Sequence, residues 1–489
     1  MNAPIRRLSI LVSAMFAILL VFGSWVQFAD AKSLRDAPNN SRTLYSSYEQ
    51  ERGSILVDQT TVARSEKTNG PIKYMRSYPQ GLLYSHLTGW FSMNHGSSGL
   101  EETDDELLSG QSDSLFYRRL GDMMTGKRPT GVNLELTLDA KTQQAADKAL
   151  GNRKGAIVAL DPKTGAILAM VSHPQYDPNA ISSLDATASS KAWQQVRTDP
   201  NEPLINRAIT GKLYPAGSTF KVITSAAALN NGRTENSTLT GVERLKMPGT
   251  SVTLPNDWNG PCGSGQVTLT QALAMSCNTA FGQVGMDMGA QVITDQAAKF
   301  GFGKPLSIPM RVTPASAGPM QTPPQIAFTA IGQQDVRVSP LQMAMVAAGV
   351  ANKGAVMKPF LVKQTRGSGL DIIDTTRPQK FSQAVSEDVA AALTRMMVQV
   401  TESPQGTGHA ARIPGVQVAG KSGTAEHGSN AAGQELAPHA WFISFAPADD
   451  PKVAVAVLVE DGGLPSPGPG PAFNAAPLAQ EVMKAVINR

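Results

Sequence analysis

The sequence has few of the residues from which metal and redox centres are built. Only two of its 489 residues are cysteines, Cys262 and Cys277, and they do not form a Cys-x-x-Cys pair. This excludes a zinc ribbon and a thioredoxin-like centre. The six histidines include no His-Glu-x-x-His spacing, which excludes the common zinc-protease motif. We therefore expect a protein that works without a metal ion or an organic cofactor.

Charged residues are also sparse, at 17% of the chain, and the basic ones form no long run. Nucleic-acid-binding proteins concentrate their positive charge in a patch or tail, whereas the net charge of +4 is scattered here. We therefore expect no nucleic-acid partner. Hydrophobic residues make up 41% of the chain, which is enough for a sizeable core. The length exceeds that of one ordinary domain and predicts two or three.

A long apolar stretch without charge lies near the N-terminus, from Leu8 to Phe28. As a helix, at about 1.5 Å per residue, it would cross a hydrocarbon core of about 30 Å. Arg6 and Arg7 precede it and should stay in the cytoplasm, so the chain after Asp30 is exported. Residues 29–31 have the form of a signal-peptide cleavage site, but the apolar stretch exceeds the about 7 to 15 residues of a signal-peptide core. We predict an uncleaved, single-pass anchor in the cell membrane.

Beyond this anchor, which we place at residues 1–31, the chain divides near residue 140. Residues 32–140 contain short alternating runs, such as Gly53–Val57, that predict an irregular β-rich module. Residues 141–489 combine a long helical middle with strands near both ends, which predicts an α/β (α+β) domain whose sheet is assembled from both ends. The strands are predicted at 156–160, 166–171, 416–419, 441–445 and 453–459. Helices are predicted at 140–150 and, after a Pro/Gly loop at 464–471, at 477–489.

Ser218 and Lys221 form the only Ser-x-x-Lys pair in the sequence. Pro215 and Gly217 mark the start of a helix, and the Ala-rich run 222–229 forms its body. Ser218 therefore lies on the first turn, near the positive end of the helix dipole, and Lys221 returns to the same face. The pair predicts a nucleophile beside a base, although Ser-x-x-Lys alone also fits an ordinary helix start.

A second motif, Ser276-Cys-Asn278, follows a helix predicted over Leu269–Met275. This placement would hold a hydroxyl and a carboxamide over a cleft. Ser92-Met-Asn94 has the same Ser-x-Asn pattern, but it lies in the N-terminal module. We therefore interpret Ser92-Met-Asn94 as unrelated to the site.

A third motif, Lys421-Ser-Gly-Thr424, follows the strand predicted over Val416–Ala419. Its cation, hydroxyl and backbone would lie at a strand edge, where an extended peptide can pair. Lys163-Thr-Gly165 fits the same pattern but occupies the tight turn of the early hairpin and precedes Ser218. We interpret Lys163 as a solvated turn residue.

The three motifs, in this order, are the signature of penicillin-binding proteins and class A β-lactamases. Over nearly its full length the chain resembles the class B, or monofunctional, penicillin-binding proteins. It departs from their pattern at Cys277 and at Gly332-Gln-Gln334, where the family has Gly-Gln-Gly. Further similar segments are Arg52-Gly-Ser-Ile55, Gly99-Leu-Glu101, Leu136-Thr-Leu-Asp139, Asp161–Gly165, Pro174–Pro178, Asn206-Arg207, Gly406-Thr-Gly408 and Ala419–Ala425.

The resemblance implies an architecture of three parts. Residues 1–31 would be a cytoplasmic stub and transmembrane anchor, and residues 32–140 a non-catalytic, dimerisation-like pedestal. Residues 141–489 would be an extracytoplasmic transpeptidase domain with a five-stranded antiparallel sheet flanked by helices. The implied partner is a separate, multi-span, lipid-linked glycan polymerase.

The resemblance also implies an activity: a serine D,D-transpeptidase, inhibited by β-lactams, that cross-links peptidoglycan stems. Ser218 would attack the penultimate carbonyl of a D-Ala-D-Ala stem, and an amine of a second stem would take the acyl group. Lys221 must be neutral to activate Ser218. We expect burial and the positive charge of Lys421 to lower its pKa from about 10.4.

The remaining motif residues receive roles through the same resemblance. Ser276 would shuttle the proton to the leaving D-Ala, and Asn278 would hold the substrate amide. Lys421 would bind the terminal carboxylate together with three neighbours, Ser422, Gly423 and Thr424. The backbone amides of Ser218 and Thr424 would form the oxyanion hole.

Other functions share these motifs. A β-lactamase needs a deacylation element, and we find no convincing Glu-x-x-x-Asn between Ser276 and Lys421. A D,D-carboxypeptidase would transfer the acyl group to water, and a penicillin-sensing receptor would need more membrane spans. A non-catalytic scaffold of the wall-synthesis complex is disfavoured because all three motifs are intact.

The two cysteines are predicted to be joined. A short stretch separates Cys262 from Cys277, and both lie in the part of the chain expected to be exported. A disulfide closing a loop of this size contributes about 3 kcal/mol in the chain-entropy model. The alternative is two buried thiols that behave as small apolar residues.

Overall fold

The computed structural model describes residues 3–30, 33–34, 45, 47–116, 121, 124, 130–211, 213–429, 433–462 and 472–488. At 472–474 only the backbone is described. The predicted Pro/Gly loop at 464–471 lies outside these ranges. The N-terminal helix runs over Ala3–Phe28 and buries none of its side chains against the protein. Its most apolar stretch of 18 residues has a mean hydropathy of 2.2. It is long and apolar enough to cross a membrane.

A six-stranded sheet organises the first half of the described chain. Its order is Ile372–Thr375, Val362–Arg366, Asn133–Leu136, Ile55–Val57, Thr60–Lys67, Tyr74–Ser77. Asn133–Leu136 pairs in parallel with Ile55–Val57 and antiparallel with Val362–Arg366. The sheet therefore takes two strands from the second half of the chain.

Beside this sheet lies a buried ion cluster. Arg52 donates to Glu101 Oε2 from Nη2 at 3.1 Å, and Arg76 donates to Glu101 Oε1 from Nε at 2.5 Å. Arg52 also contacts Asp105, which is half exposed. Buried charges are tolerated when they are paired in this way. The next residue, Gly53, must be a glycine, because a Cβ there would lie 1.9 Å from the carbonyl oxygen of Val132.

The second sheet is the predicted five-stranded antiparallel sheet, which is confirmed. Its order is Ala419–Ala425, His439–Ala446, Val453–Val459, Gly155–Leu160, Ile167–His173. Because side chains alternate along a strand, Val455 and Val457 pack on one face and Ala454 and Ala456 on the other. Helices Ala140–Leu150 and Ala472–Ile487 cover the first face, and helix Pro340–Ala351 covers the second.

Two predicted bounds are wrong. The strand predicted at 416–419 runs over Ala419–Ala425, so the third motif lies inside the strand rather than after it. Polar residues here are buried in the site, which hid the strand from hydrophobic patterning. The final helix begins at Ala472, before Pro477, because Ala475, Ala479 and the residues that follow continue one apolar face.

The remaining elements surround these two sheets. The helices are Gly81–Thr88, Gly99–Thr103, Asp105–Leu108, Pro178–Ile181, Ala186–Thr198, Lys221–Asn230, Leu269–Ala274, Asn278–Met288, Ala290–Lys299, Pro323–Ala330 and Glu387–Glu402. Short 3-10 turns lie at Asp113–Leu115, Gly217–Phe220 and His409–Ala411. Two-stranded pairs are Phe91–Ser92 with Gly96–Ser97, Thr238–Thr240 with Gln266–Thr268, Arg244–Lys246 with Thr253–Pro255, Leu306–Ser307 with Arg311–Val312, and Ala355–Met357 with Lys380–Gln383.

Candidate active site

Ser218 lies on the 3-10 turn Gly217–Phe220, directly before the helix Lys221–Asn230. Lys221 donates from Nζ to Ser218 Oγ at 2.9 Å. Gly217 has φ +52°, and a Cβ there would lie 2.2 Å from the carbonyl oxygen of Thr424. Glycine therefore lets this turn approach the third motif closely, because it adopts positive φ and has no side chain.

Lys221 is fully buried and surrounded by oxygen atoms. Its Nζ lies 2.6 Å from Asn278 Oδ1, 2.7 Å from the carbonyl oxygen of Ser276 and 3.2 Å from Ser276 Oγ. Burial lowers the pKa of Lys221 to about 7, and the negative charge of Asp257 opposes this shift. A lysine with a pKa near neutrality is neutral in a substantial fraction of molecules and can accept a proton.

The second motif is held between two helices. Leu269–Ala274 begins at a capping box formed by Thr268 and Gln271. Ser276 follows this helix with φ +63°, a sparsely populated backbone conformation for a non-glycine residue. Such residues often occur at functional sites.

A disulfide between Cys262 and Cys277 ties this motif to the preceding loop, so the predicted pairing is confirmed. This bond explains why the second motif has a cysteine at its middle position, where the chain departs from the family pattern. Cys277 is also the residue from which the helix Asn278–Met288 begins. The bond therefore restrains the backbone between Ser276 and Asn278.

Lys421 lies opposite Lys221 and is also fully buried. Its Nζ donates to Ser276 Oγ at 2.9 Å and to the carbonyl oxygen of Ser422 at 2.8 Å. Burial and then repulsion by Lys221 lower the pKa of Lys421. We expected both burial and the positive charge of Lys421 to lower the pKa of Lys221. Burial is the largest cause there, and the mutual repulsion of the two lysines lowers the pKa of Lys421.

The rest of the third motif faces the turn that carries Ser218. Gly423 is required because a Cβ there would lie 2.9 Å from Thr219 Cγ2. Ser422 Oγ lies 2.6 Å from Thr407 Oγ1. The motif strand is the outermost strand of its sheet, so a peptide could pair along it.

The two excluded motifs lie elsewhere, as expected. Ser92 Oγ donates to the carbonyl oxygen of Ile181 at 2.8 Å. Lys163 is exposed and pairs with Asp450 at 2.7 Å. Neither residue contacts the three motifs described above.

Two further polar residues of the site were missed by sequence reasoning. Asp257 Oδ1 accepts a hydrogen bond from Asn278 Nδ2 at 2.7 Å. Thr407, besides its contact with Ser422, donates from its backbone N–H to the carbonyl oxygen of Ala274 at 3.2 Å. Thr407 belonged to a segment noted only for its family resemblance, and nothing in the local sequence marked Asp257.

The variant segment Gly332-Gln-Gln334 lies against the nucleophile turn. The Gly217 N–H donates to the Gly332 carbonyl at 2.9 Å, and a Cβ at Gly332 would lie 1.9 Å from the Gly217 carbonyl oxygen. Gln334 has φ +58°, a region that glycine favours. The glutamine therefore keeps the backbone conformation that the usual glycine would adopt.

Within the described ranges, one group of side chains offers three possible metal-ligand atoms: His427, His439 and Asp461. The two imidazole rings are stacked 3.8 Å apart with planes inclined by 4°. Ring-nitrogen lone pairs lie in the ring plane, so nearly parallel rings do not direct them at one ion. Asp461 donates from its backbone N–H to His439 Nδ1 at 3.2 Å. We interpret the group as a hydrogen-bonded brace near the motif strand.

Comparisons with known proteins agree with this geometry. Residues 155–486 match the family model of the penicillin binding protein transpeptidase domain, and residues 52–134 match that of the penicillin binding protein A dimerisation domain. The chain is 43% identical over 494 residues to the peptidoglycan D,D-transpeptidase PbpA of Mycolicibacterium smegmatis, covering 100% of this chain and 99% of that protein.

Solved structures show the same similarity. The crystal structure of PBPA from Mycobacterium tuberculosis has a TM-score of 0.85 and 42% identity, and covers 90% of this chain and 100% of that one. Its penicillin G acyl-enzyme complex is similar to the same extent, with a TM-score of 0.85, 42% identity and the same coverage of 90% and 100%. The chain belongs to the penicillin-binding protein transpeptidase family, as a class B member, and is a serine transpeptidase.

Proposed function

We propose that this enzyme is a peptidoglycan D,D-transpeptidase that carries the acyl group of a stem peptide on Ser218. The observation that carries the proposal is the 2.9 Å contact between Lys221 Nζ and Ser218 Oγ, with the pKa of Lys221 lowered to about 7. The related PbpA proteins are named for this activity. β-Lactams would acylate the same serine, as the penicillin G complex of the related protein supports.

Acylation follows from the arrangement of the groups. Neutral Lys221 takes the proton of Ser218 while Oγ attacks the penultimate carbonyl of the D-Ala-D-Ala stem. The carbon–nitrogen bond then breaks, and the leaving D-Ala amine receives a proton through Ser276, whose Oγ lies 3.2 Å from Lys221 Nζ. The amine of a second stem then attacks the ester and loses its proton to Lys221. The bond to Ser218 breaks, and Lys221 returns the proton to Ser218 Oγ.

The third motif and Asn278 would bind the substrate, with Asn278 holding its amide. Lys421, Ser422, Gly423 and Thr424 would hold the terminal carboxylate at the outer edge of the sheet. The arriving carboxylate favours the protonated form of Lys421, which offsets the lowering of its pKa by burial. Backbone amides of Ser218 and Thr424 would stabilise the oxyanion, where one donor is typically worth about 3 to 4 kcal/mol.

We also propose a division of the chain around this site. We propose an anchor over residues 1–31, a pedestal over 32–140 and a transpeptidase domain over 141–489, with the catalytic part outside the cytoplasm. The apolar helix Ala3–Phe28 supports the single membrane span. We further propose that a multi-span, lipid-linked glycan polymerase is held through the anchor and pedestal.

Intact mass spectrometry after treatment with labelled penicillin tests the central claim. We expect a stable adduct on wild-type protein that maps to Ser218, and none on Ser218→Ala. The matched control is Ser92→Ala, which we expect to label normally. Rapid loss of the adduct would instead indicate a β-lactamase, and an unlabelled wild type would indicate a scaffold.

A second measurement separates a transpeptidase from a D,D-carboxypeptidase. The enzyme is supplied with a D-Ala-D-Ala stem and an acceptor amine, and the products are resolved by mass. Transfer to the amine is expected. Hydrolysis alone, at saturating amine, would contradict transpeptidation while leaving the role of Ser218 intact.

A further inference from the structure

Asp257 lies in the loop that follows the short strand Thr253–Pro255, and its side chain is exposed at the site. Its Oδ1 accepts a hydrogen bond from Asn278 Nδ2 at 2.7 Å. The other end of the same carboxamide, Oδ1, accepts from Lys221 Nζ at 2.6 Å. Asp257 is thus joined to the proposed base through a single side chain.

The carboxylate determines which way the Asn278 amide points. An ionised carboxylate only accepts hydrogen bonds, whereas a carboxamide donates from nitrogen and accepts at oxygen. Rotating the Asn278 amide by half a turn would place its oxygen against Asp257 and its N–H groups against the amine of Lys221. The contact with Asp257 would be lost, and so would the second hydrogen bond of Nδ2, to the carbonyl oxygen of Pro255 at 3.3 Å. Asp257, together with this carbonyl, therefore favours the orientation in which Asn278 Oδ1 faces Lys221.

The neighbouring residue holds this loop in place. Asn256 is buried and donates from Nδ2 to the carbonyl oxygens of Val242 at 3.0 Å and Gly260 at 2.9 Å. Its Oδ1 accepts from the backbone N–H of Thr279 at 3.0 Å, in the first turn of the helix that begins at Asn278. The loop that carries the exposed Asp257 carboxylate is therefore hydrogen-bonded to that helix.

Asp257 is also the carboxylate that acts electrostatically on both amines of the site. Its charge raises the pKa of Lys221 and that of Lys421, against the effect of burial. The titratable groups around Lys221 are therefore Lys421, on the motif strand, and Asp257. Glu426, at the end of that strand, interacts electrostatically with Asp257 in turn.

We propose that Asp257 is a positioning residue that orients Asn278 toward Lys221 and balances the charge of the two buried lysines. This inference rests on the proposed roles of Ser218 and Lys221. Asp257 itself need not touch the substrate.

The test compares Asp257→Ala and Asp257→Asn in the full chain, in detergent, with a fluorescent penicillin as the probe. The second-order rate constant of acylation is measured from about pH 5.5 to 9. Asp257→Ala removes the hydrogen bond and should slow acylation above pH 8 by about 10-fold or more, the range for a lost hydrogen bond to a charged group. Asp257→Asn can still accept the hydrogen bond and should lose less.

Both variants should also shift the acid limb of the pH profile downward, by about 0.5 pH unit, because the negative charge no longer raises the pKa of Lys221. The ratio of wild-type to variant rate is therefore smaller at low pH than at high pH. A merely structural aspartate would leave the limb in place. The control is Asp374→Asn, an exposed aspartate on the strand Ile372–Thr375, which should match wild type.

Two results would overturn the inference: wild-type acylation by Asp257→Ala, or an unshifted acid limb in both variants. Thermal denaturation checks that the variants are folded, and Asp257→Asn, which is isosteric, supplies the decisive profile if Asp257→Ala unfolds. Failure of the proposed function would look different, because the wild type itself would then give no adduct on Ser218.

Discussion

At the residue scale, the site depends on one lysine that must be buried without being permanently charged. Lys221 has no exposed surface, and three of its four close contacts are oxygen atoms of the second motif. Hydrogen bonds to oxygen atoms favour the charged amine, whereas desolvation favours the neutral one. Desolvation prevails here, which leaves the pKa at about 7.

Lys221→Arg tests whether Lys221 is a base or only a cation. Arginine keeps the charge and much of the stem but stays protonated at any usable pH. We expect a folded protein, with a melting temperature near wild type, that is acylated by penicillin at least about 100-fold more slowly, the lower range for a lost general base.

The control for that variant is Lys163→Arg, in the exposed turn, which should acylate normally. A crystal structure of Lys221→Arg would show whether the wider guanidinium displaces Ser218. Near-normal acylation by a correctly folded Lys221→Arg would place the base elsewhere, and Ser276 with Lys421 would be the next pair to test.

The lowered pKa of Lys221 also predicts the pH dependence of acylation. The reaction needs the neutral amine, so the rate should rise with pH through about 7 and level off above it. Below this range, Lys221 is protonated and the rate should fall about tenfold per pH unit. The measurement is the second-order rate constant with penicillin across this range, and a profile that is flat from pH 5.5 to 8.5 would contradict the assignment.

The residues that could be predicted from sequence were those whose spacing carries a mechanism. Ser218 and Lys221 share a helix face, and the order of the three motifs identified Ser276, Asn278 and Lys421. Asp257 reaches Asn278 across a loop, and no local periodicity signals such a contact.

At the element scale, the strand Ala419–Ala425 and the segment before it form one wall of the site. Thr407 joins this wall to the helix of the second motif through its contacts with Ser422 and Ala274. Its position therefore controls where the Ser422 hydroxyl points.

Thr407→Val removes the hydroxyl while preserving shape, and should lower the second-order rate constant of penicillin acylation by about 10-fold or less, the cost of one hydrogen bond. Thr407→Ser keeps the hydroxyl and should restore most of the rate. Equal rates in both variants and wild type would show that the contact does not orient Ser422.

The disulfide between Cys262 and Cys277 also acts at the element scale, because it ties the second motif to the preceding loop. Replacing Cys262 and Cys277 together by alanine should lower the free energy of unfolding by about 3 kcal/mol, since the loop is no longer closed in the unfolded chain. Denaturant unfolding measures this change. Thiol titration of the denatured, unreduced wild type is the check, because two free thiols per chain would show that the bond does not form.

Elements with strong local signals were predicted well, and those defined by the site were not. The helix Ala140–Leu150 was predicted with its observed bounds because Asp139 caps it, accepting from the backbone N–H of Thr142 at 2.7 Å. The motif strand was predicted too early in the sequence, because its buried lysine and serine do not follow hydrophobic alternation. Its burial depends on the helices of the site, which are distant in sequence.

At the scale of the whole molecule, we propose that the N-terminal helix holds the enzyme at a membrane. None of its residues is buried against the protein, as expected of a helix that meets lipid. We expect the full chain to fractionate with membranes and a chain lacking residues 1–31 to be soluble, with unchanged penicillin acylation. Intact mass of the protein from membranes is the check, and a mass corresponding to cleavage near residue 31 would support the signal peptide instead.

The sequence predicts a pedestal and a catalytic domain, but it could not predict that distant strands of the chain share one sheet. Strands Val362–Arg366 and Ile372–Thr375 are short, and the second is exposed throughout. Val362–Arg366 pairs with Asn133–Leu136 across more than two hundred residues, and Ile372–Thr375 pairs with Val362–Arg366. Patterns within a short window carry no information about such a partner.

This shared sheet limits where two related genes can recombine and still encode a folded protein. Exchange of genetic material near residue 140 would take four of the six strands from one parent and the other two, Val362–Arg366 and Ile372–Thr375, from the other. Asn133–Leu136 would then pair with a strand from a different parent. A poor fit would leave the strand edge open to pairing with other chains, so hybrids formed there should tend to aggregate. Viable recombinants should instead carry the hairpin 362–375 from the same parent as the first four strands, and matched changes on the two segments should be found together.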